Sequence, residues 1–412
     1  MRIAVIGAGI VGVSTAEWLR RDGHAVTLID RIRPGDPAQA SYGNAGILAN
    51  SGVVPVPGPG LIAKAPRLLF DPDGALFLKW AYLPRLLPWL LRYLRAGRRD
   101  EVERISRALA ALIGDTVEAH RALAAGTGAE RFIEPGRYTY LYRTRADWEG
   151  DRLGRALRDA AGLAFTPLDR AALLARDPDL GADYTFGIEY RDSAHLSDPG
   201  AYVAALFDHF RREGGAFLQG EVTALAPGQD AAAVHLDGVR HGFDHAVLAA
   251  GAWSGRLLRA LGHDPGLESE RGYHLVLKSP SHRPPAPYLL ADRKFAITPM
   301  ASGLRLAGLA EFGGLDAGAS PGPTRLQRRA IARIYPRLTW EGEEIWLGHR
   351  PSTIDSLPVI GESPKARRIW CAYGGQHLGL TQGPKTGRLI ADLIAGRRPN
   401  LDLAPYRPGR FD

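Results

Sequence analysis

A chain of 412 residues, 45% hydrophobic and 23% charged, has a globular composition and room for two or three domains, which excludes a disordered or fibrous polypeptide. Its 52 Lys and Arg against 44 Asp and Glu leave a formal charge of +8, but no block of five like charges occurs, so the excess describes a basic surface and not a nucleic-acid tract. The lone cysteine, Cys371, excludes an intramolecular disulfide, a CxxC redox pair and a thiolate-rich metal site, and its place in the apolar run Ile369 to Tyr373 marks it as core.

In chain order, Ile3 to Ile6 is a short apolar run ending at glycines, Val11 to Arg21 carries helical spacing, and Gly23 stops that helix. Ala25 to Ile29 is a second buried-strand pattern ending in Asp30, so the opening residues predict a strand, helix, strand unit with a parallel pair and a right-handed crossover. No charged leader with an apolar stretch precedes it, so the fold is expected to start at Met1, in the cytoplasm. Residues 34 to 75 are rich in Gly and Pro without periodicity, which predicts loop packed over something, such as a bound cofactor.

Residues 76 to 99 interleave Trp80, Tyr82, Trp89 and Tyr93 with leucines and with Lys79, Arg85, Arg92, Arg95, Arg98 and Arg99. Pro84 and Pro88 interrupt the stretch, so it cannot span a bilayer. Two readings stay open: an interfacial segment against anionic headgroups, which puts the chain at the inner face of the plasma membrane, or helices covering a second domain. Val102 to Ala125 predicts one long helix, and Tyr138, Tyr140 and Tyr142 alternate as in a strand.

Asp198 followed by Pro199 is a helix start, with Gly214-Gly215 as its stop. Ala216 to Leu225 and Ala233 to Leu236 follow as strands, the second ending at an Asp237-Gly238 turn, and His245 to Ala250 runs into Gly251-Ala252-Trp253-Ser254, where the opening unit resumes. Residues 271 to 312 alternate again, an Arg-rich helix spans Thr324 to Tyr335, and a strand at Ile369 to Tyr373 leads through Gly374-Gly375 to a helix from about Pro384 to Ala395. The pattern divides the chain into a cofactor domain (1–50, 195–270 and 345–412) and a substrate domain dominated by antiparallel sheet (51–194 and 271–344).

Gly7-Ala8-Gly9-Ile10-Val11-Gly12 fits GxGxxG after a strand and at the opening of a helix. Gly7 permits the tight turn, Gly9 lets backbone approach a pyrophosphate, and Gly12 allows close helix-to-strand packing, while the helix N-terminus supplies amides for the phosphates. Asp30, at the end of the second strand, is placed to accept both ribose hydroxyls of an adenosine. The motif alone does not separate NAD from FAD. The loop Ser41-Tyr42-Gly43-Asn44-Ala45-Gly46 offers further hydroxyl, amide and backbone donors to a long polar ligand.

Together these residues resemble the family of FAD-dependent D-amino-acid oxidases, glycine oxidases and bacterial D-amino-acid dehydrogenases. Three separated motifs carry the likeness: the glycine loop with Ser41 to Gly46, the strand end Ala249-Ala250-Gly251-Ala252-Trp253, and the C-terminal run from Gly348-His349-Arg350-Pro351 through Pro358-Val359-Ile360-Gly361 to Gly374-Gly375-Gln376-His377-Leu378-Gly379-Leu380-Thr381. The dehydrogenase branch, D-hydroxyproline-type enzymes included, looks closest. The resemblance implies an α/β fold, a Rossmann-like FAD-binding domain with a discontinuous α+β substrate domain built on an antiparallel sheet.

It also implies non-covalent FAD, with the ADP half at Gly7, Gly9, Ile10, Val11, Gly12, Asp30 and Arg31, the adenine at the Val222 backbone, and the diphosphate beside Gly251 and Trp253. Ser41, Asn44, Ala45 and Gly46 would face the flavin, and Gly375, His377, Leu378, Gly379 and Thr381 would edge its ring. Arg350 resembles the family arginine that pairs with the substrate carboxylate, whose fork geometry suits two parallel hydrogen bonds. Tyr273 and His274, on the expected substrate-domain sheet, are candidates to line the pocket beside His377, with core packing as their alternative. Gln376 stands where relatives often carry a histidine.

The implied reaction is hydride transfer from the α-carbon of a small D-amino or cyclic imino acid to flavin, giving an imine and then a 2-oxo acid, with quinone or oxygen as electron acceptor and no metal. A glycine- or sarcosine-type oxidase is the near alternative. An NAD-linked dehydrogenase would share the opening unit but has no use for the Ser41 to Gly46 loop, and a non-catalytic basic flavoprotein module, binding RNA for example, would bring a polybasic tract or RNA motif that is missing here.

Overall fold

The computed structural model describes residues 1–61 and 76–412. The apolar opening run forms the strand Arg2–Ile6 at the heart of a six-stranded sheet, in the order Val359–Glu362, Ile369–Tyr373, His245–Leu248, Arg2–Ile6, Ala25–Asp30, Ala216–Gln219. Every neighbouring pair is parallel except the first. The strands are buried on both faces, which is why they read as continuous apolar runs without alternation. Cys371 is buried among them, and burial pushes its thiol up to about 12.

The helices Ile10–Arg21 and Gly379–Ile394 pack closely against each other because the second carries small residues at the crossing. A Cβ on Gly387 would lie 2.7 Å from the Thr15 amide, and one on Gly383 2.9 Å from the Ile10 side chain. The helix Pro199–Arg212 joins the same core, capped at Asp198, whose carboxylate accepts from Ala201 N at 3.0 Å.

A ten-stranded sheet makes the second layer, eight strands in the order Gly342–Thr353, Leu267–Lys278, Gly303–Phe312, Phe295–Met300, Tyr288–Leu290, Ile133–Tyr142, Phe186–Leu196, Ile47–Leu48, with Leu76–Leu78 pairing to Gly303–Phe312 and Phe165–Leu168 to Phe186–Leu196. Its pairings are antiparallel except between Tyr288–Leu290 and Ile133–Tyr142 and between Gly303–Phe312 and Leu76–Leu78, which are parallel. The helix Pro321–Ile334 covers one face through Leu326, Ile331 and Ile334. The expected divisions at 194/195, 270/271 and 344/345 fall inside strands of this sheet, because long strands run from one half of the molecule into the other.

Four expected elements differ from the structure. The long helix over 102–125 is two, Arg99–Ile113 and Thr116–Ala124, turned at Gly114-Asp115. The strand over 216–225 breaks at Gly220-Glu221, so that Ala216–Gln219 joins the parallel sheet while Val222–Ala226 joins a separate three-stranded one. The last helix starts at Gly379 and contains Pro384. In the expected loop over 34–75, Ile47–Leu48 is a strand, and residues 62–75 lie outside the described residues.

Candidate active site

Because the strands of the first sheet run parallel, their C-terminal ends share one edge, the place where open α/β sheets bind ligands. Ile6 delivers Gly7 to Gly12 there, Asp30 ends its own strand there, Gln219 leads to Val222, Leu248 to Gly251, and Tyr373 to Gly375. Five segments singled out in the sequence are thereby gathered from both ends and the middle of the chain.

The glycines at this edge are required by contact. Gly7 has φ +99°, and a Cβ on it would sit 2.4 Å from the Ala249 carbonyl oxygen, so the two strand ends touch through backbone. A Cβ on Gly12 would fall 1.8 Å from the Gly7 oxygen. The Asp30 carboxylate accepts from Ala8 N at 2.6 Å, and Ser41 Oγ accepts from Ile10 N at 2.9 Å, which ties the Ser41 to Gly46 loop to the glycine turn. Burial raises the Asp30 pKa against the backbone amides that oppose the rise. Arg31 lies over the Trp253 ring at 4.8 Å, and Val222 follows Gly220, whose amide donates to the Asp30 carbonyl at 2.9 Å.

Asn44 Oδ1 accepts from Gly46 N at 2.9 Å, while the buried Arg305 donates to the carbonyls of Tyr42 and Asn44 at 2.8 and 2.7 Å. The far end of this loop meets the last helix, where Thr381 Oγ1 donates to Ile47 O at 3.3 Å. Ala45, Ile47 and Ala49 pack with Tyr138, Tyr140 and Tyr190 on the large sheet.

Across from these segments, Arg350 and Glu270 are directly paired on adjacent strands. Arg350 Nη1 donates to Glu270 Oε1 at 2.6 Å and Nη2 to the Gly308 carbonyl at 2.8 Å, while Ser352 Oγ donates to Glu270 Oε2 at 2.9 Å. The guanidinium lies flat against Gly272, where a Cβ would come within 2.7 Å of it. Burial raises the Glu270 pKa, but Arg350, His377 and the Ser352 hydroxyl together hold the carboxyl below its ordinary value. The His377 side chain is exposed, and its pKa is lowered by desolvation and by Arg350, with Glu270 opposing. The buried Leu378 and the half-buried Gly379 follow it into the last helix.

Tyr273 and His274 are corrected to structural roles. Tyr273 is buried on the opposite face, donating to Glu311 at 2.7 Å and accepting from Ser320 N at 2.9 Å. His274 is fully buried beneath the Ser41 to Gly46 loop, stacked on Trp346 at 4.9 Å, with Nδ1 3.1 Å from the Gly43 carbonyl. Burial and then Arg305 push its pKa down to about 3, so it is neutral at ordinary pH.

Sequence reasoning missed the supports of the C-terminal segment. Pro384 has no N–H for the carbonyl four residues back, Leu380 O. His120 Nε2 fills that gap at 3.0 Å, with Nδ1 2.9 Å from Tyr202 Oη, and Thr116 Oγ1 donates to the next carbonyl, Thr381 O, at 2.7 Å. Burial drives the His120 pKa down to about 4. Gln376 is buried with φ +45°, and its amide donates to Thr353 O at 3.3 Å and Ser356 Oγ at 3.2 Å, so it braces the turn beyond Arg350. A proline inside a helix was the one sequence signal that a carbonyl partner had to come from elsewhere.

Residues 2–393 match the family described as FAD dependent oxidoreductase. The chain belongs to that family. Among FAD-dependent oxidoreductases, it is 38% identical over 415 residues to a D-amino-acid oxidase of Bradyrhizobium diazoefficiens, covering 99% of this chain and 98% of the relative. It is 31% identical over 428 residues to D-amino acid dehydrogenase 2 of Ralstonia nicotianae, covering all of both. The fold is that of glycine oxidase from Geobacillus kaustophilus, with a TM-score of 0.75 at 20% identity over 99% of each chain. L-proline dehydrogenase from P. horikoshii matches with a TM-score of 0.75 at 17% identity, over 100% of this chain and 97% of that one.

The cofactor of the family is FAD, and the residues at the strand-end edge fit it. Two helices, Ile10–Arg21 and Gly379–Ile394, present N-termini there with no side-chain cap and no acid in the first turn, the arrangement that receives negative charge. Gly251, at φ +54°, and Gly379 have nothing within 4 Å of where a Cβ would stand, which leaves backbone open to close approach. Ser254 Oγ and Gln382 Oε1, in segments adjoining that edge, are buried without a hydrogen-bond partner among the described residues.

Proposed function

We propose that this flavoenzyme oxidises the α-carbon of small D-amino acids or cyclic imino acids, with Arg350 as the carboxylate anchor. The observation that carries the reading is the orientation of Arg350, flat on Gly272 and tethered by Glu270 and the Gly308 carbonyl, in one cluster with His377 of the C-terminal segment. The two relatives named for D-amino-acid oxidation support the substrate class. In this reading Gly7, Gly9, Gly12, Asp30 and Gly251 hold the dinucleotide half of FAD, and Ser41 to Gly46 with Gly375 to Thr381 hold the flavin half without a covalent link.

The chemistry that FAD supplies when bound is acceptance of a hydride from the substrate α-carbon, leaving an imine for water to hydrolyse to a 2-oxo acid. The protein's part is orientation. Two Arg350 N–H groups are committed to Glu270 and Gly308, and its other donors serve the carboxylate as a charge-assisted pair. Glu270 keeps the guanidinium from swinging away.

Anaerobic mixing of the FAD-loaded protein with D- and L-amino and imino acids, followed by flavin absorbance, tests this. Bleaching with D-amino or cyclic imino acids is expected, and Arg350→Ala is expected to keep the yellow cofactor while losing bleaching by about two orders of magnitude or more. Bleaching by L-amino acids alone, or full activity in Arg350→Ala, overturns the assignment.

One observation favours a quinone over oxygen as acceptor. The helix Leu83–Arg95 buries Leu86, Trp89 and Tyr93, yet its Leu87 and Leu91 are 45% and 50% exposed and Trp80 in the turn before it is 54% exposed, the pattern of a segment lying in a lipid interface. Among the described residues no helix is long and apolar enough to cross a membrane.

A further inference from the structure

Where that helix ends, the surface changes from apolar to basic. A pocket of about 530 Å³ opens between Arg92 to Arg104 on one side and residues 404 to 411 on the other, floored by Ala96, Ile354 and Phe411. Six arginines line it, and only Glu101 and Asp355 carry the opposite charge within its lining. Arg104 is taken by Glu101 at 2.8 Å, Arg410 grips Asp355 with two bonds of 2.8 and 2.9 Å, and Arg92 pairs with Asp264. Arg98 has an acid, Asp100, only at 3.7 Å. Arg95 and Arg407 have no acidic partner among the described residues.

We propose that this pocket is a binding site for a phosphate-bearing anion. The last turn of Leu83–Arg95 accounts for Arg92 and Arg95, because a helix C-terminus attracts cations, but not for the pocket's other arginines. Arg407 lies on a different segment, just after the single 3-10 turn Ala404–Tyr406, too short a helix to account for it, and both arginines line the same concave pocket, which concentrates their positive potential. Guanidinium forks match phosphate oxygens, and the pocket has room for a phosphate or diphosphate group. The site stands apart from the flavin chemistry and does not rest on the assignment of Arg350.

Two sources share this chemistry, a soluble phosphate compound and the headgroup of an anionic lipid brought close by Trp80, Leu87 and Leu91. Isothermal titration of the FAD-loaded protein with inorganic pyrophosphate, and co-sedimentation with phosphatidylglycerol vesicles, form the two arms. Saturable binding is expected in at least one arm, weakened at least about tenfold in the double variant Arg95→Ala, Arg407→Ala and unaltered in Arg240→Ala. Flavin absorbance and amino-acid turnover of the double variant should match the parent, which shows that it is folded. In the parent protein binding should also weaken as ionic strength rises, whatever the behaviour of the variant. Binding to vesicles alone identifies the lipid headgroup, and binding of pyrophosphate alone the soluble compound. Binding in neither arm, binding insensitive to salt, or binding that survives in a folded double variant overturns the proposal.

Discussion

At the residue scale, the grip on substrate turns on an absent methyl group. Gly272 is flat under the Arg350 guanidinium, and Gly272→Ala would put a Cβ 2.7 Å from it. The variant should retain FAD, because Gly272 belongs to the substrate-side sheet, but its KM for the amino acid should rise about tenfold or more as Arg350 is displaced. Steady-state kinetics alongside flavin absorbance checks this, and an unchanged KM would separate Arg350 from the carboxylate. Arg350 was legible in the sequence through its Gly-His-Arg-Pro setting. Glu270 was not, since its pairing with a residue 80 positions away depends on strand register that no local pattern encodes. The same register turns Tyr273 to the far face, where Glu311 claims its hydroxyl.

At the scale of elements, two glycine-bearing helix starts dominate the cofactor edge. Gly12→Ala should abolish FAD retention, with affinity lowered at least about tenfold, because its Cβ would collide with the Gly7 carbonyl 1.8 Å away and open the turn. Gly242→Ala, with nothing within 4 Å, is the matched control, and the flavin-to-protein absorbance ratio after purification gives the result. This start was readable because all its determinants lie within thirty residues of one another. The helix over 102–125 was misread because its apolar spacing continues through Gly114-Asp115. What breaks it lies elsewhere: the turn places Thr116 on the Thr381 carbonyl and Asp115 within 2.8 Å of Lys385 Nζ. The break therefore serves the proline-interrupted last helix, and a pattern read along one segment contains no word of it.

At the scale of the whole molecule, two buried neutral histidines join the layers and make stability depend on acid. His120 has its pKa pushed down to about 4 and His274 to about 3. Their folded values lie below the ordinary value near 6.5, so as pH falls from there the unfolded chain takes up protons that the folded one refuses. Stability is full above about pH 6.5 and falls toward pH 4, by roughly 3 kcal/mol for His120. Urea unfolding at pH 7.5 and pH 5 should show about 2 kcal/mol of this loss for His120, and His120→Gln should reduce it. A loss of the same size in that variant would remove His120 from the account.

The order of the parallel sheet has a consequence for how the protein is made. The strand Ile369–Tyr373 and the helix Gly379–Ile394 are made long after the elements they join, for the helix packs on Ile10–Arg21 and the strand stands beside His245–Leu248. Until they emerge, the nascent chain carries an open sheet edge and a bare helix flank, surfaces on which chaperones act. Capture of the yellow cofactor therefore awaits synthesis of these two segments, and a ribosome stalled short of Ile369 should hold a colourless product.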